Sequence, residues 1–238
     1  DFSEYIIKYF SNVYYIAPVR ATAERYYRLR NTAVNEVDCR GKNLPVFLNS
    51  LKNEQFKRFQ KWTHNNLGFE VEKSLSEGHV SLKIRKNGQD KAVNLSDTGF
   101  GYSQILPIVT QLWYITDARN KRQQVRARTA SEVIVPVTIA IEQPELHLHP
   151  ALQAKLMDVI ARIATEKNVR FIIETHSETI INRIGTLIDK GKFNNNDIEI
   201  TIFDKQFGED KTCVKKSTFD EEGYLKDWPI GFFEPEED

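Results

Sequence analysis

The second half of the chain carries long apolar stretches whose spacing predicts a layered fold. Residues 133–141 are almost continuously apolar, the pattern of a strand buried on both faces of a parallel sheet. Pro150 then suits the first turn of a helix, and Leu152, Leu156, Val159, Ile160 and Ile163 recur on one helical face. Residues 169–173 predict a second buried strand. Thr175 and Glu178 have the spacing of a capping box, and Ile180, Ile181, Ile184, Leu187 and Ile188 continue as a helix. IEITIF, residues 198–203, predicts a third strand. Strand, helix, strand, helix, strand is the order of an α/β fold, a parallel sheet flanked by helices. Such sheets bind ligands at the carboxyl ends of their strands. Here those ends carry Glu142-Gln143 and Glu174-Thr175-His176.

The first half is patterned differently. Residues 13–16 predict a short strand, and the following APVRATAERYYRLRN reads as a polar connection rich in Arg and Tyr. Val46, Phe47, Leu51, Phe56 and Phe59 give residues 44–62 a loosely helical pattern. GFEVE, HVSLKIR and KAVNL, separated by turn signals at 76–78 and at Asn87-Gly88, predict a small antiparallel section, with Asn87-Gly88 as a hairpin turn. NLSDTGFGYSQILPIV is a glycine-rich turn leading into a helix, expected to start near Ser103 or Gln104 because proline, here Pro107, is tolerated close to a helix start.

Composition narrows the function classes. The 238 residues are 40% hydrophobic and 28% charged, with zero formal net charge, so a sizeable core is expected and no global basic field draws the chain to nucleic acid or membrane. A basic segment, residues 118–132, reads as a solvated, mobile surface loop in preference to a nucleic-acid patch. Two widely separated cysteines, Cys39 and Cys213, point to a reduced, cytoplasmic setting. No apolar run approaches the length of a membrane span. The chain begins at Asp1 and its one methionine is Met157, which suggests a natural start further upstream.

Three pieces carry candidate chemistry. Glycines before a helix let backbone N–H groups approach an anion, and the helix N-terminus adds its positive dipole end. A carboxylate at the end of the central strand, Glu142, can hold Mg²⁺ through water, since that ion keeps much of its hydration. His176, at the tip of the next strand, can donate a hydrogen bond to a phosphate oxygen. Taken singly, Glu142 could cap a helix and His176 could be a turn histidine; their order and spacing are more specific. His147 and His149 with His176 and Glu142 leave open a minor alternative, a zinc hydrolase.

Together IAIEQPELHLHP, residues 139–150, and the glycine-rich segment resemble the C-terminal half of an ABC-type ATPase domain, in the bacterial branch related to OLD-family and SMC-type heads. The resemblance covers residues 95–203, and YYIAPVR more weakly. It implies a P-loop NTPase-like fold: residues 1–94 the lead-in strand with a helical and small antiparallel β section, 95–205 the signature, Walker B and switch-histidine lobe, and 206–238 a small C-terminal extension. It assigns the signature to Ser96, Gly99, Gly101, Ser103 and Gln104, with Ser103 favoured over Ser96 as its serine. Glu142 becomes the Walker B metal carboxylate, and Gln143 takes the general-base position. His149 lies in the loop that meets a dimer partner, and His176 is the switch histidine. The tail EGYLKDWPIGFFEP is similar to a small extension found on some of these ATPases, or packs as core through Trp228, Phe232 and Phe233.

ATP and Mg²⁺ follow as cofactors, with a homodimer around the nucleotides, DNA as a candidate partner, and a separate nuclease or toxin subunit in phage defence. No G-x-x-x-x-G-K-[ST] phosphate loop occurs, so that half of the site is expected upstream of Asp1. An amide at 143 can orient the attacking water, as a glutamine does in small GTPases, but cannot take its proton. The expectation is slow hydrolysis, with Glu145 a less favoured substitute base beyond Pro144. A non-hydrolysing scaffold, or a trap of the ATP-bound dimer, fits the same glutamine.

Overall fold

The computed structural model describes residues 2–28, 34, 36–126, 135–167, 169–204 and 211–229, the side chains of 118–126 and 167 excepted. Helix α1 (Phe2–Phe10) leads into β1 (Val13–Ile16), as the short apolar run predicts. Residues 17–26 form a loop before the two-residue strand β2 (Tyr27–Arg28). The helical pattern over 44–62 resolves into two helices, α2 (Leu44–Ser50) and α3 (Asn53–Leu67). Leu51 breaks it: its backbone is extended, at φ −63° and ψ 134°, while its side chain stays buried.

β3 (Phe69–Ser76) and β4 (His79–Lys86) form the expected hairpin, closed by Glu77 and Gly78, both at positive φ. β5 (Val93–Asn94) meets β4 only through Lys83 and Ile84, on the edge that β2 also uses at Val80 and His79. Asn87-Gly88 therefore turns the chain away from β4, and six residues intervene before pairing resumes.

Helix α4 (Phe100–Arg126) starts earlier and runs longer than its sequence suggests. Pro107 lies inside it, where the missing N–H and the ring oppose a regular helix. Burial outweighs that cost: Ile105, Leu106, Ile108, Val109 and Leu112 are completely buried, as in a helix enclosed on all sides. The Pro107 ring also requires a glycine opposite, since a methyl on Gly41 would lie 2.5 Å from its Cγ. The basic segment expected as a loop is helical through Arg126, and its remainder lies outside the described residues.

β6 (Val137–Glu142), α5 (Pro150–Lys167), β7 (Val169–Glu174) and α6 (Glu178–Asp189) follow as predicted. The parallel sheet has the order β1-β6-β7, with Tyr14 beside Ile139 and Ile139 beside Phe171. On the face shared by Tyr14, Ile16, Ile139, Ile141, Phe171 and Ile173 it packs into the main core with α3, α4 and α5. Ile139 is completely buried there, so Ile139→Val is expected to cost about 1 kcal/mol, read as a fall of a few degrees in melting temperature. On the opposite face Val13, Tyr15 and Ile172 remain 43%, 43% and 65% exposed.

The third parallel strand is thus β1, and not residues 198–203 as the linear pattern suggests. That segment, β8 (Ile200–Asp204), pairs antiparallel with β9 (Cys213–Phe219), which pairs with β10 (Leu225–Lys226). A strand pattern does not specify its neighbour, and β8 has an antiparallel partner close at hand after residue 210. This sheet straddles the boundary expected at residue 205. It rests on α6 through a second cluster of Ile181, Ile188 and Phe219, to which Trp228 adds a partly buried ring. Phe232 and Phe233 lie outside the described residues.

Candidate nucleotide site at the strand ends

Parallel pairing sets Glu142 beside Glu174 at the carboxyl ends of β6 and β7, and the Gln143 N–H extends the ladder to the Glu174 carbonyl at 2.8 Å. Tyr15, one strand over on the same face, donates its hydroxyl to Glu142; that bond and the adjacent carboxylate hold the phenol above its ordinary pKa. Glu142 is half-buried and faces outward from the sheet end. Beyond it the chain turns sharply, with Gln143 at φ 41° and His147 at φ 61°. A non-glycine residue held left-handed costs about 1–3 kcal/mol, so the surrounding contacts must impose it.

Glu145 supplies part of that constraint. Thr175 Oγ1 donates to one of its carboxylate oxygens and the His176 N–H to the other, each at 2.8 Å. Its carboxylate is thereby committed to holding the ends of β6 and β7 together. Thr175 belongs to this bridge and not to a capping box. The N-cap of α6 is Ser177, whose Oγ accepts from the Ile180 N–H at 3.2 Å. His176 remains free to turn outward, 72% exposed, with Nε2 4.0 Å from Glu174.

The glycine-rich segment meets this loop from the other side. A methyl on Gly101 would lie 3.2 Å from the His147 carbonyl oxygen, and the Phe100 ring sits 5.6 Å from the His147 ring, centroid to centroid. Gly99, at φ 82°, faces open space. Ser103 is buried and its hydroxyl donates to the Phe100 carbonyl at 2.7 Å. Ser96 is the exposed serine, on a short 3-10 turn capped by Asn94. Ser103, favoured from the sequence, faces inward because the helix begins at Phe100, three residues earlier than expected. His149 is engaged locally: its Nδ1 accepts from the Ala151 N–H at 3.2 Å, at the start of α5.

The loop after β1 is the part of the site that sequence reasoning left as a plain connection. Arg25 makes two bonds to Asp97, at 2.7 and 3.0 Å, and its carbonyl accepts from Asn94, tying this loop to the glycine-rich turn. Arg20 is buried and linked to both Gln104 and Gln143. Its place at the exit of a buried strand was the available signal. Burial lowers its pKa to about 10 against the pull of Glu145, which leaves it charged at neutral pH.

These residues fit Mg²⁺ and a nucleotide phosphate better than zinc. Glu142 and its neighbour Glu174 offer the one or two carboxylates that a largely hydrated Mg²⁺ takes. Among the described residues no three His, Cys, Asp or Glu side chains converge as a metal-binding group, so the histidine-based zinc alternative is not met. Nor is any described helix long and apolar enough to cross a membrane.

A parallel α/β sheet with carboxylates at its strand ends, beside a glycine-rich helix start, has the form of a nucleotide-hydrolase domain. Residues 29–181, more than half of the chain, match the family model of the AAA ATPase domain, and the chain belongs to that family. That family agrees with the ATPase domain that the sequence resemblance implies. No curated protein matches. Among solved structures it is similar to one from the structural biochemistry of ATP-driven dimerization and DNA-stimulated activation of SMC ATPases: 14% identity, 75% of this chain and 90% of that one, TM-score 0.44. It is also similar to the Smc head domain with an extended coiled coil bound to ScpA from Pyrococcus furiosus, at 14% identity, 69% and 35% coverage and TM-score 0.40. The Smc head with coiled coil and joint from Pyrococcus yayanosii gives 12%, 71% and 27%, and 0.41. The chain spans about a third of the length of these last two.

Proposed function

We propose that this chain is the signature and Walker B half of an ABC-type ATPase that closes as a homodimer around ATP and Mg²⁺ and works as a slow, nucleotide-driven switch. The observation that carries the reading is the convergence, on one end of the parallel sheet, of Glu142, Gln143 and His176 with the glycine-rich start of α4 packed against the same loop. In this reading Glu142 holds Mg²⁺ through water, Gln143 orients the attacking water, and His176 donates to a phosphate oxygen. Ser96, Gly99 and the ring of Phe100 form the face offered to the partner subunit's nucleotide. Bound nucleotide supplies the γ-phosphoryl group whose transfer to water is the chemistry.

Slow turnover follows from the side chains present. Gln143 positions water but accepts no proton, and Glu145, engaged by Thr175 and His176, does not replace it as a base. The uncovered sheet face with Val13, Tyr15 and Ile172 lies beside Glu142, and the phosphate-loop segment of the full-length protein is proposed to cover it. DNA, a separate nuclease or toxin subunit, a role in phage defence and a cytoplasmic location belong to the same reading.

The test is phosphate release by the full-length protein, wild type against Gln143→Glu, with mass measured by light scattering with and without ATP. Slow wild-type release, roughly tenfold faster release by Gln143→Glu, and an ATP-dependent doubling of mass are expected. ATP-dependent doubling without release from either protein would favour the scaffold reading instead.

A further inference from the structure

Arg20 is 3% exposed and stands between three segments that the proposed site requires together. Gln104, in the first turns of α4, grips its backbone from both sides: the Arg20 N–H donates to Gln104 Oε1 at 3.3 Å, and the Gln104 amide donates to the Arg20 carbonyl at 3.2 Å. The guanidinium reaches the other way. Nη1 donates to the Ala17 carbonyl at 3.0 Å, fixing the loop to the end of β1, and Nη2 donates to the Gln143 carbonyl at 3.3 Å. That carbonyl also accepts from the Leu146 N–H at 3.2 Å, so two donors set its direction and hold Gln143 left-handed.

Packing alone does not account for such a residue. Its Nε is buried with no hydrogen-bond partner, and a buried guanidinium carries a desolvation cost that an apolar side chain of similar volume avoids. What an apolar side chain cannot do is span from Ala17 to Gln143 with directed donors.

We propose that Arg20 is a positioning residue that couples the glycine-rich segment to Gln143. A shift at the start of α4 moves the Arg20 backbone through Gln104, and Arg20 carries it to the Gln143 carbonyl, which sets where the Gln143 amide points. Contact of the glycine-rich face with the partner's nucleotide is thereby communicated to the residue that orients water. The proposal rests on the reading of Gln143 given above; its structural half, the brace itself, is measurable without turnover.

The experiment is hydrogen exchange on the full-length protein without nucleotide, alongside phosphate release, for wild type, Arg20→Lys, Gln104→Met and the double variant. Lysine keeps the charge but reaches one carbonyl, not two. Exchange at residues 143–148 is expected to rise about tenfold in Arg20→Lys, as the loss of one charge-assisted hydrogen bond entails, with residues 156–163 of α5 unchanged. Turnover is expected to fall about tenfold with KM for ATP within about twofold. Gln104→Met reproduces the effect, and the double variant adds nothing to it. If Arg20→Lys fails to fold, Gln104→Met carries the same test. Unchanged exchange at 143–148, an equal rise throughout α5, or additive effects in the double variant would overturn the proposal. A selective rise at 143–148 alongside equal phosphate release by wild type and Glu142→Ala would leave the brace standing and remove the hydrolytic reading.

Discussion

Full-length protein carrying Glu142→Ala is expected to release phosphate at least about 100-fold more slowly than wild type, the scale of losing one preorganised electrostatic group at a phosphoryl-transfer site. The size follows from how few carboxylates are present. Glu142 is the strand-end carboxylate next to Gln143, and its outward direction is kept by the β6 ladder on one side and the Tyr15 hydroxyl on the other. Glu174 pairs with it in register but lies one strand away and 56% exposed, with His176 beside it. Glu145 is engaged elsewhere. The substitution should spare the fold, since Glu142 ends its strand half-buried and its backbone bonds persist; a melting temperature within a few degrees of wild type is the accompanying expectation. Glu142→Ala turning over like wild type would move the metal carboxylate elsewhere and end the assignment. Glu142→Asp, one methylene shorter, is expected to fall between the two.

What could be read from the linear sequence divides along a physical line. Elements held by dense, periodic apolar residues were legible: β6 as a buried strand, α5 from Leu156, Val159, Ile160 and Ile163, α6 from its isoleucines, and β1 from four residues. Decisions resting on tertiary partners were not. Pro107 argued for a late helix start, yet complete burial of Ile105 to Val109 and the space above Gly41 let α4 begin at Phe100 and turned Ser103 inward. β8 reads as a parallel strand by order alone, and pairs with β9 because a sheet neighbour is chosen in three dimensions. Glu145, expected from the sequence as a less favoured substitute base, also accepts from Thr175 and the His176 N–H of the next strand, contacts that the linear sequence does not reveal. The same holds for Arg20, whose links to Gln104 and Gln143 join residues more than eighty positions apart.

Gly223→Ala is expected to be the most destabilising single-methyl change outside the main core, by about 3 kcal/mol, or roughly 10 °C in melting temperature. Two costs coincide there. Gly223 sits at φ 79° in the turn between β9 and β10, a left-handed conformation that costs an alanine on the order of 1–2 kcal/mol. The added methyl would also lie 2.1 Å from the Gly185 carbonyl oxygen and 2.8 Å from its carbon, in the middle of α6. A backbone contact of that kind is relieved only by lifting the turn off the helix, which separates Ile181 and Ile188 from Phe219 and loosens Trp228. Protease cleavage within β9 and β10 should therefore accelerate while α5 stays protected. Gly185→Ala probes the same contact from the other side, at 2.4 Å from the Gly223 carbonyl oxygen, without the left-handed penalty. Gly78→Ala separates the terms: Gly78 has φ 77° but meets nothing within 4 Å, so it should show the conformational cost alone. If Gly223→Ala is no worse than Gly78→Ala, the close approach is not what docks the C-terminal sheet on α6. If it is worse by the margin that Gly185→Ala shows on its own, that contact is what docks the C-terminal sheet on α6.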